Sequence, residues 1–329
     1  MANMNVLDFE KSIEELNTDL SKLRQIVADR ANPQNTPELS SQIAEYEEHR
    51  AALFTHFFDH LTPWDKVLLA RHPKRPYTLD YVSALFEEWT ELHGDRLGAD
   101  DGAIVAGFAK LDGQRVAVIG HQKGRDLKQR QFRNFGSARP EGFRKAGRIM
   151  ALAAKFGVPV ITFVDTAAAA ADIAADEGGI SEAIARSMFE MATLPVPIVS
   201  VIIGEGGSGG ALGIAVADRI LMLEHSIYSV IPPESFAAIL WRDPTRGADA
   251  AAALNLTAQR ALELGIVDTI IPEPLGGAHR DWAEAAEAVK SALSTALSPL
   301  LSVPPPVLVS QRYEKFRCMG EYAEGGEAG

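Results

Sequence analysis

Ile198-Val199-Ser200-Val201-Ile202-Ile203-Gly204-Glu205-Gly206-Gly207-Ser208-Gly209-Gly210-Ala211 is the stretch on which the reading of this chain turns. Its first six residues, 198–203, read as a buried β-strand. Five glycines then fall in the seven residues 204–210, and a helix is expected from about Gly209 to Ala217. Glycines permit positive φ and a close approach of backbone to backbone. A helix start adds unpaired N–H groups and a partial positive charge, so strand, turn and helix together suit an anion or a developing oxyanion. The plainer reading is a tight turn that lets a helix pack on a sheet. No Gly-Lys-Ser/Thr follows, so this is not a P-loop, and no clean Gly-x-Gly-x-x-Gly with a downstream acidic partner is present. Residues 206–210 do match Gly-x-Ser-x-Gly. Ser208 would need a base, however, and only His225 and His279 lie downstream, without a hydrolase-type oxyanion motif upstream. A serine hydrolase is set aside.

Outward from this stretch, helices and strands alternate. Helix 144–156, strand 158–164 and helix 181–193 precede it. Strands 219–223 and 227–231 come after it, then a helix from Pro233, a helix capped by Thr257 and ended by Gly265, and strand 266–271. Such alternation implies parallel pairing with right-handed crossovers, the α/β class. Residues 103–111 and 114–121 are two β-type runs joined by Asp112-Gly113, a hairpin signal. A helix is expected from Thr78 through Leu92 to a stop at Gly94. Residues 62–80, rich in Pro and basic side chains, read as a connector. Before them, Ile13, Leu16, Leu20, Leu23 and Val27 step by three and four. Residues 32–35 break that helix, and Thr36-Pro37 caps a second one toward Phe58. This pair reads as a hairpin packed on the body or on a partner subunit. The organisation expected is a helical extension with connector over 1–76, an α/β domain over 77–320 and a fraying tail over 321–329.

With 32 basic and 44 acidic residues among 329, the formal net charge is −12, which disfavours a nucleic-acid binder. The one cysteine, Cys318, allows neither an internal disulfide nor a cysteine-built zinc site. Residues 1–10 show no signal peptide, and Asp165 and Asp172 break the most apolar tract, so no membrane span is expected and the cytoplasm is the starting assumption. His56 and His60, with Asp59 beside them, share a helix face that reads as packed or solvated, so no metal site is assigned. Two further segments bear on chemistry. Asp165-Thr166 ends a strand, where α/β sheets hold ligands, and Ala167 to Ala171 behind it offer only backbone groups. Residues 120–144 concentrate Lys123, Arg125, Lys128, Arg130, Arg133, Arg139 and Arg144. That run suits a phosphorylated cofactor, and equally a solvated loop or subunit contact.

Several stretches now point one way: Arg71-His72-Pro73, Arg75-Pro76-Tyr77-Thr78-Leu79-Asp80-Tyr81, Glu91-Leu92-His93-Gly94-Asp95-Arg96 and Gly120-His121-Gln122-Lys123-Gly124-Arg125-Asp126. Arg133-Asn134-Phe135-Gly136, Arg139-Pro140-Glu141-Gly142, residues 204–211 and Ile271-Pro272-Glu273-Pro274-Leu275-Gly276-Gly277-Ala278-His279-Arg280 complete the set. Over nearly its whole length the chain resembles the α subunit of bacterial acetyl-CoA carboxylase carboxyltransferase. The resemblance implies a crotonase-like ββα superhelix with an N-terminal helical extension. It implies carboxyl transfer from carboxybiotin, borne on a biotin carboxyl carrier protein, to acetyl-CoA, giving malonyl-CoA for fatty-acid synthesis. It implies an α2β2 assembly with a β subunit that carries zinc and much of the CoA site, and biotin carboxylase in the full complex. Backbone N–H groups of Gly206 and Gly207 become the expected catalytic donors, Ala168 and Gly209 are expected to bind the cofactor, and Lys123 and Arg125 are candidates for CoA phosphates or the interface.

The chain departs from the family's pattern at this face. Asp-Thr-Pro-Gly-Ala-Tyr-Pro-Gly is replaced by Asp165-Thr166-Ala167-Ala168-Ala169-Ala170-Ala171-Asp172. Gly178 and Ile180 stand for Arg and Gln, and Pro232-Pro233-Glu234-Ser235-Phe236 for Ser-Pro-Glu-Gly-Cys. Alanine keeps the N–H but removes a bulky ring. A diverged paralogue carboxylating another acyl-CoA or acceptor, and a non-catalytic structural subunit, therefore stay open beside the working α subunit.

Overall fold

A computed structural model describes residues 11–29 and 37–320. In chain order the elements are α1 (Lys11–Ala28), α2 (Pro37–Asp59), α3 (Pro63–Ala70), α4 (Thr78–Leu85), β1 (Glu87–Glu91), β2 (Ile104–Leu111), β3 (Gln114–His121), α5 (Leu127–Phe132), α6 (Pro140–Phe156) and β4 (Val160–Thr166). They continue with α7 (Ile173–Glu177), α8 (Ile180–Thr193), β5 (Ile198–Gly207), α9 (Ser208–Leu212), β6 (Arg219–Leu223), β7 (Ile227–Ser229), α10 (Pro233–Trp241), α11 (Gly247–Ala253), α12 (Ala258–Glu263), β8 (Thr269–Ile271), α13 (Trp282–Leu297) and α14 (Pro305–Arg317).

One sheet carries the fold, in the order β1-β2-β3-β4-β5-β6-β8, with β7 attached to β5. β1, β2 and β3 are antiparallel, and every pairing from β3 onward is parallel. The β2–β3 hairpin follows its turn chemistry: Asp112 and Gly113 have φ of 48° and 79°, the mirror-image turn whose twist matches the strands it joins. Alternate side chains leave each strand on opposite faces. Ile161 and Phe163 of β4 meet Tyr81, Val82 and Leu85 of α4 and Leu293 and Leu297 of α13. Val160 and Val164 face Phe143, Ile149 and Met150 of α6 and Ala183 and Met191 of α8. Burial on both faces explains why residues 160–164 and 198–203 are apolar except for Thr162 and Ser200, whose hydroxyls pair with each other at 2.9 Å.

The N-terminal pair forms as expected and docks on the body: Phe58 lies 5.7 Å from the His225 ring, and the Arg280 guanidinium stands 5.2 Å over Phe54. The Thr36 cap, the break at 32–35, the leader reading of residues 1–10 and the fraying tail lie outside the described residues. None of the described helices is long and apolar enough to cross a membrane.

Several expectations need correction. The helix from Thr78 stops at Leu85, and Glu87–Glu91 pairs with β2 instead. Tyr81, Val82, Leu85, Phe86, Trp89 and Leu92 keep helical spacing, but the open edge of β2 offers backbone partners, and tertiary pairing overrides the pattern. Thr78 is not the cap either: its hydroxyl donates to the His121 carbonyl at 2.5 Å, while Asp80 accepts from the Tyr77 N–H at 2.7 Å. The connector holds α3, whose start is a capping box between Thr62 and Asp65. α6 begins at Pro140, four residues before the expected start, with proline in its first turn. β5 continues through Gly207, and α9 ends at Leu212 rather than Ala217. α13 and α14 had no counterpart in the reading.

Candidate active site

The site forms where β5 changes neighbours. Residues 199–202 of β5 pair with β6, whereas residues 205–207 pair with β7. On the other side the register with β4 steps from Val164↔Ile202 to Thr166↔Gly206, so β5 covers four residues where β4 covers two. This is a bulge, which bends a strand and re-aims the residues beyond it. Beyond this one lie the glycine turn and α9.

Four of the five glycines are required by contact. None of the five has positive φ; in that stretch only Ser208 does, at 52°. A Cβ on Gly207 would stand 1.8 Å from the Ala167 oxygen, and one on Gly210 would stand 2.4 Å from the Ala169 nitrogen. A Cβ on Gly206 would meet Tyr228 Cδ2 at 2.7 Å, and one on Gly204 would meet Asp165 Oδ1 at 2.4 Å. Gly209 has room, with Ile184 methyls at 3.6 Å. The alanine loop after β4 and the glycine turn after β5 thus pack backbone on backbone. The loop is itself tied down: the Thr166 hydroxyl donates to the Ala168 carbonyl at 2.8 Å, and the Ala170 N–H to the Ala138 carbonyl at 2.9 Å. Asp172 caps α7 and pairs with Arg139.

Of the residues singled out in the sequence, Gly206, Gly207, Gly209 and Ala168 come together here. Gly206 and Gly207 end β5, between β4 and β7. Gly209 lies in the first turn of α9, where N–H groups have no partner inside the helix. Lys123 is adjacent, with its ammonium 2.8 Å from Asp165 Oδ1 and 2.9 Å from Glu205 Oε2. Arg125 is elsewhere: it pairs with Asp80, donates to the Pro73 and Arg75 carbonyls, and stacks between Tyr77 and Trp282. The basic run is largely turned inward, since Arg130, Arg133 and Arg144 donate to the carbonyls of Gly124, Gly102 and Gly178. His56 of α2 and His60, just past the end of that helix, are exposed, their rings 5.1 Å apart. Among the described residues no three potential ligands cluster as a metal site.

Three features escaped the sequence reading. The first is the ionic chain below the turn: Arg71 joins Glu205, at 2.7 Å, to Glu234 of α10. Burial alone would raise the Glu205 carboxyl, but Lys123 and Arg71 outweigh it and hold its pKa below the ordinary value. The second is the buried pair of Arg75 and Glu273; burial opposes ionisation there too, yet the guanidinium holds Glu273 down at about 2. The third is His121 at the end of β3. It is fully buried, its ring nitrogens reach no hydrogen-bond partner, and the backbones of Gly210 and Phe163 are its polar neighbours. No local pattern announces these contacts, because their partners lie tens to hundreds of positions apart.

Burial, then the Lys123 charge, lowers the His121 pKa to about 3. The unfolded chain binds that proton near 6.5, so the folded state is favoured fully above that pH and loses ground as pH falls toward 3. The loss expected is on the order of 4 kcal/mol. Denaturant unfolding at stepped pH should show it, and His121→Leu should flatten the curve between pH 6.5 and 4. An unchanged slope in the variant would refute the assignment.

With this geometry in hand, known proteins supply the context. The family model described as acetyl co-enzyme A carboxylase carboxyltransferase-like matches residues 6–320. The chain belongs to this family. A relative in Geobacter metallireducens, named acetyl-coenzyme A carboxylase carboxyl transferase subunit alpha, is 51% identical over 324 residues, covering 98% of this chain and 100% of the relative. One of the same name in Geobacter sulfurreducens is 57% identical over 268 residues, covering 82% and 84%. Among solved structures, the transcarboxylase 12S enzyme aligns with a TM-score of 0.56 at 16% identity, over 80% of this chain and 46% of that one. The chain thus spans about half the length of that protein. A subunit of a Pseudomonas malonate decarboxylase hetero-tetramer gives 0.53 at 19% identity, over 65% and 85%. These structural likenesses establish the fold: it is the crotonase-like carboxyltransferase fold, as the resemblance implied.

Proposed function

We propose that the chain is the α subunit of an acetyl-CoA carboxylase carboxyltransferase, acting in the cytoplasm. It works with a zinc-bearing β subunit as α2β2, beside a biotin carboxyl carrier protein and biotin carboxylase. It transfers a carboxyl group from carboxybiotin to acetyl-CoA and gives malonyl-CoA.

The observation that carries this reading is the seat of Gly207 and Gly210 on the backbone of residues 167–169. It holds close to the neighbouring loop a turn that is glycine except for Ser208 and that offers backbone N–H groups as donors. Such donors fit a carbonyl oxygen that gains negative charge, the need shared by a ureido ring and a thioester. Bound carboxybiotin supplies the carboxyl group and a ureido nitrogen that can accept the acyl α-proton. The chain's own task is then to orient and to stabilise charge. The N–H groups of residues 206–210 face the developing oxyanion, and the bulge fixed by Asp165 and Glu205 sets their aim. The Tyr228 ring packs against Gly206, and the alanine loop packs against Gly207 and Gly210. No side-chain base is required, in accord with the buried His121, which is held neutral next to the Gly210 backbone.

The test is the reverse reaction, malonyl-CoA plus a biotin derivative giving acetyl-CoA, with the chain and its cognate β subunit purified together and each omitted in turn. Turnover that needs both subunits is the expected result. A stable complex without turnover would sink the acetyl-CoA assignment. A panel of larger malonyl-type thioesters would then separate another acyl substrate from a structural role.

A further inference from the structure

Lys123 was a candidate for CoA phosphates, and the structure gives its charge a different use. The side chain is 16% exposed and lies between two carboxylates, Asp165 at the end of β4 and Glu205 in β5. Asp165 Oδ1 also accepts the Glu205 N–H at 3.0 Å. That bond falls inside the bulge, between Val164↔Ile202 and Thr166↔Gly206, so a side-chain oxygen serves where the regular ladder is interrupted. Gly204 is pinned there, because a Cβ would strike Asp165. The second Glu205 oxygen is taken by Arg71, which continues to Glu234. The Lys123 stem is covered as well. A Cβ on Gly136 would lie 2.8 Å from Lys123 Cγ, and Asn134, Phe135 and Gly136 form a left-handed turn with φ of 43°, 56° and 84°. That strained turn closes over the stem, the kind of feature that persists only where its surroundings hold it. Two of the ammonium's three protons are thus already engaged by buried carboxylates.

We infer that Lys123 is a positioning residue: it locks the end of β4 to the switch in β5 and so fixes the aim of the donor turn at 206–210. Without it, two buried carboxylates face each other, and Asp165 no longer holds the Glu205 N–H in place. Beyond the switch, β5 has only the short ladders to Thr166 and to the three residues of β7. The turn would then drift, and an error of about 1 Å in a donor is enough to cost up to about 100-fold in rate.

The activity half of this inference rests on the function proposed above, and the experiment has a second half that does not. Lys123→Met, Lys123→Arg and the charge-balanced pair Lys123→Met/Glu205→Gln are made in the full chain and assayed with the β subunit. In Lys123→Met, kcat should fall about 10- to 100-fold with KM for malonyl-CoA within about twofold. It should stay low in the charge-balanced pair, which guards against a mere failure to fold, and recover in part in Lys123→Arg. In the chain alone, amide exchange across residues 205–211 should quicken about tenfold or more in Lys123→Met while residues 221–223 are unchanged. A raised KM at unchanged kcat would overturn the inference in favour of a phosphate contact. So would exchange at the turn that matches the wild type. An inactive wild-type complex would refute the proposed reaction instead, leaving the exchange measurement to judge Lys123.

Discussion

Gly207→Ala is expected to lower kcat of the α–β complex by about 10²–10³-fold, the scale on which losing an oxyanion donor is felt. The reason is steric. The added methyl would lie 1.8 Å from the Ala167 oxygen and 2.3 Å from its carbon, both main-chain atoms. Neither backbone yields cheaply: Ala167 follows Thr166, which is in register with Gly206, and the same loop is pinned at Ala168 and Ala170. Relief therefore comes from moving the turn or the loop, which misplaces the N–H donors and costs about 1–3 kcal/mol of stability besides. Gly209→Ala, two residues on, places its methyl 3.6 Å from Ile184, ordinary contact, and should leave the melting temperature within about 1 °C. Steady-state kinetics and thermal melts on both variants decide the matter. Normal turnover by Gly207→Ala would show that the close seat of turn on loop does not hold the donors.

Arg312→Met should destabilise the fold by about 3–5 kcal/mol, far from the site and without touching its chemistry. Arg312 of α14 is fully buried. It grips both oxygens of Asp218, at 2.9 and 2.7 Å, and donates to the carbonyls of Met191, Leu194 and Val196. Asp218 in turn accepts the Ile198 N–H at 2.7 Å and so fixes the start of β5. Removing the guanidinium strands a buried carboxylate and three carbonyls at once, the costly case for polar groups out of water. Arg312→Met/Asp218→Asn, which removes both charges, should regain part of the loss. The exposed pair Arg186–Glu190 provides the contrast, with Arg186→Met expected within about 0.5 kcal/mol. Denaturant unfolding measures all three. A cost below about 1 kcal/mol for Arg312→Met would mean that α14 is not anchored through this residue.

Much of the scaffold was legible in residue order. The Asp112-Gly113 hairpin, β6, the Thr257 cap and the change from helical to strand period each rest on local rules, and the chain obeys them. Errors gathered where a neighbour distant in sequence takes over. β1 is a strand because β2 has an edge to fill. β5 outruns its apolar stretch because β7 pairs with glycines that have no β preference of their own. α13, which starts behind the Asp281 cap, and the proline-led α14 take their places from the sheet face that α13 covers and from Asp218, which α14 reaches through Arg312.

The candidate site divides the same way. Residue types and spacing carried the α/β class and a glycine turn suited to backbone donors, because those properties are local, while the family came from the resemblance of long, nearly literal motifs. The assembled structure was needed to show why the glycines are there. Gly207 and Gly210 are wanted for the approach of residues 167–169, Gly206 for Tyr228 and Gly204 for Asp165, and none of them for positive φ, which belongs to Ser208 instead. It was also needed to tell the cations apart. Lys123 and Arg125 are near neighbours in one basic run, yet one sits between buried carboxylates at the turn and the other is spent on Asp80 and two connector carbonyls. A charge has its meaning from what lies within a few ångströms of it, and for Lys123 those partners stand 42 and 82 residues away.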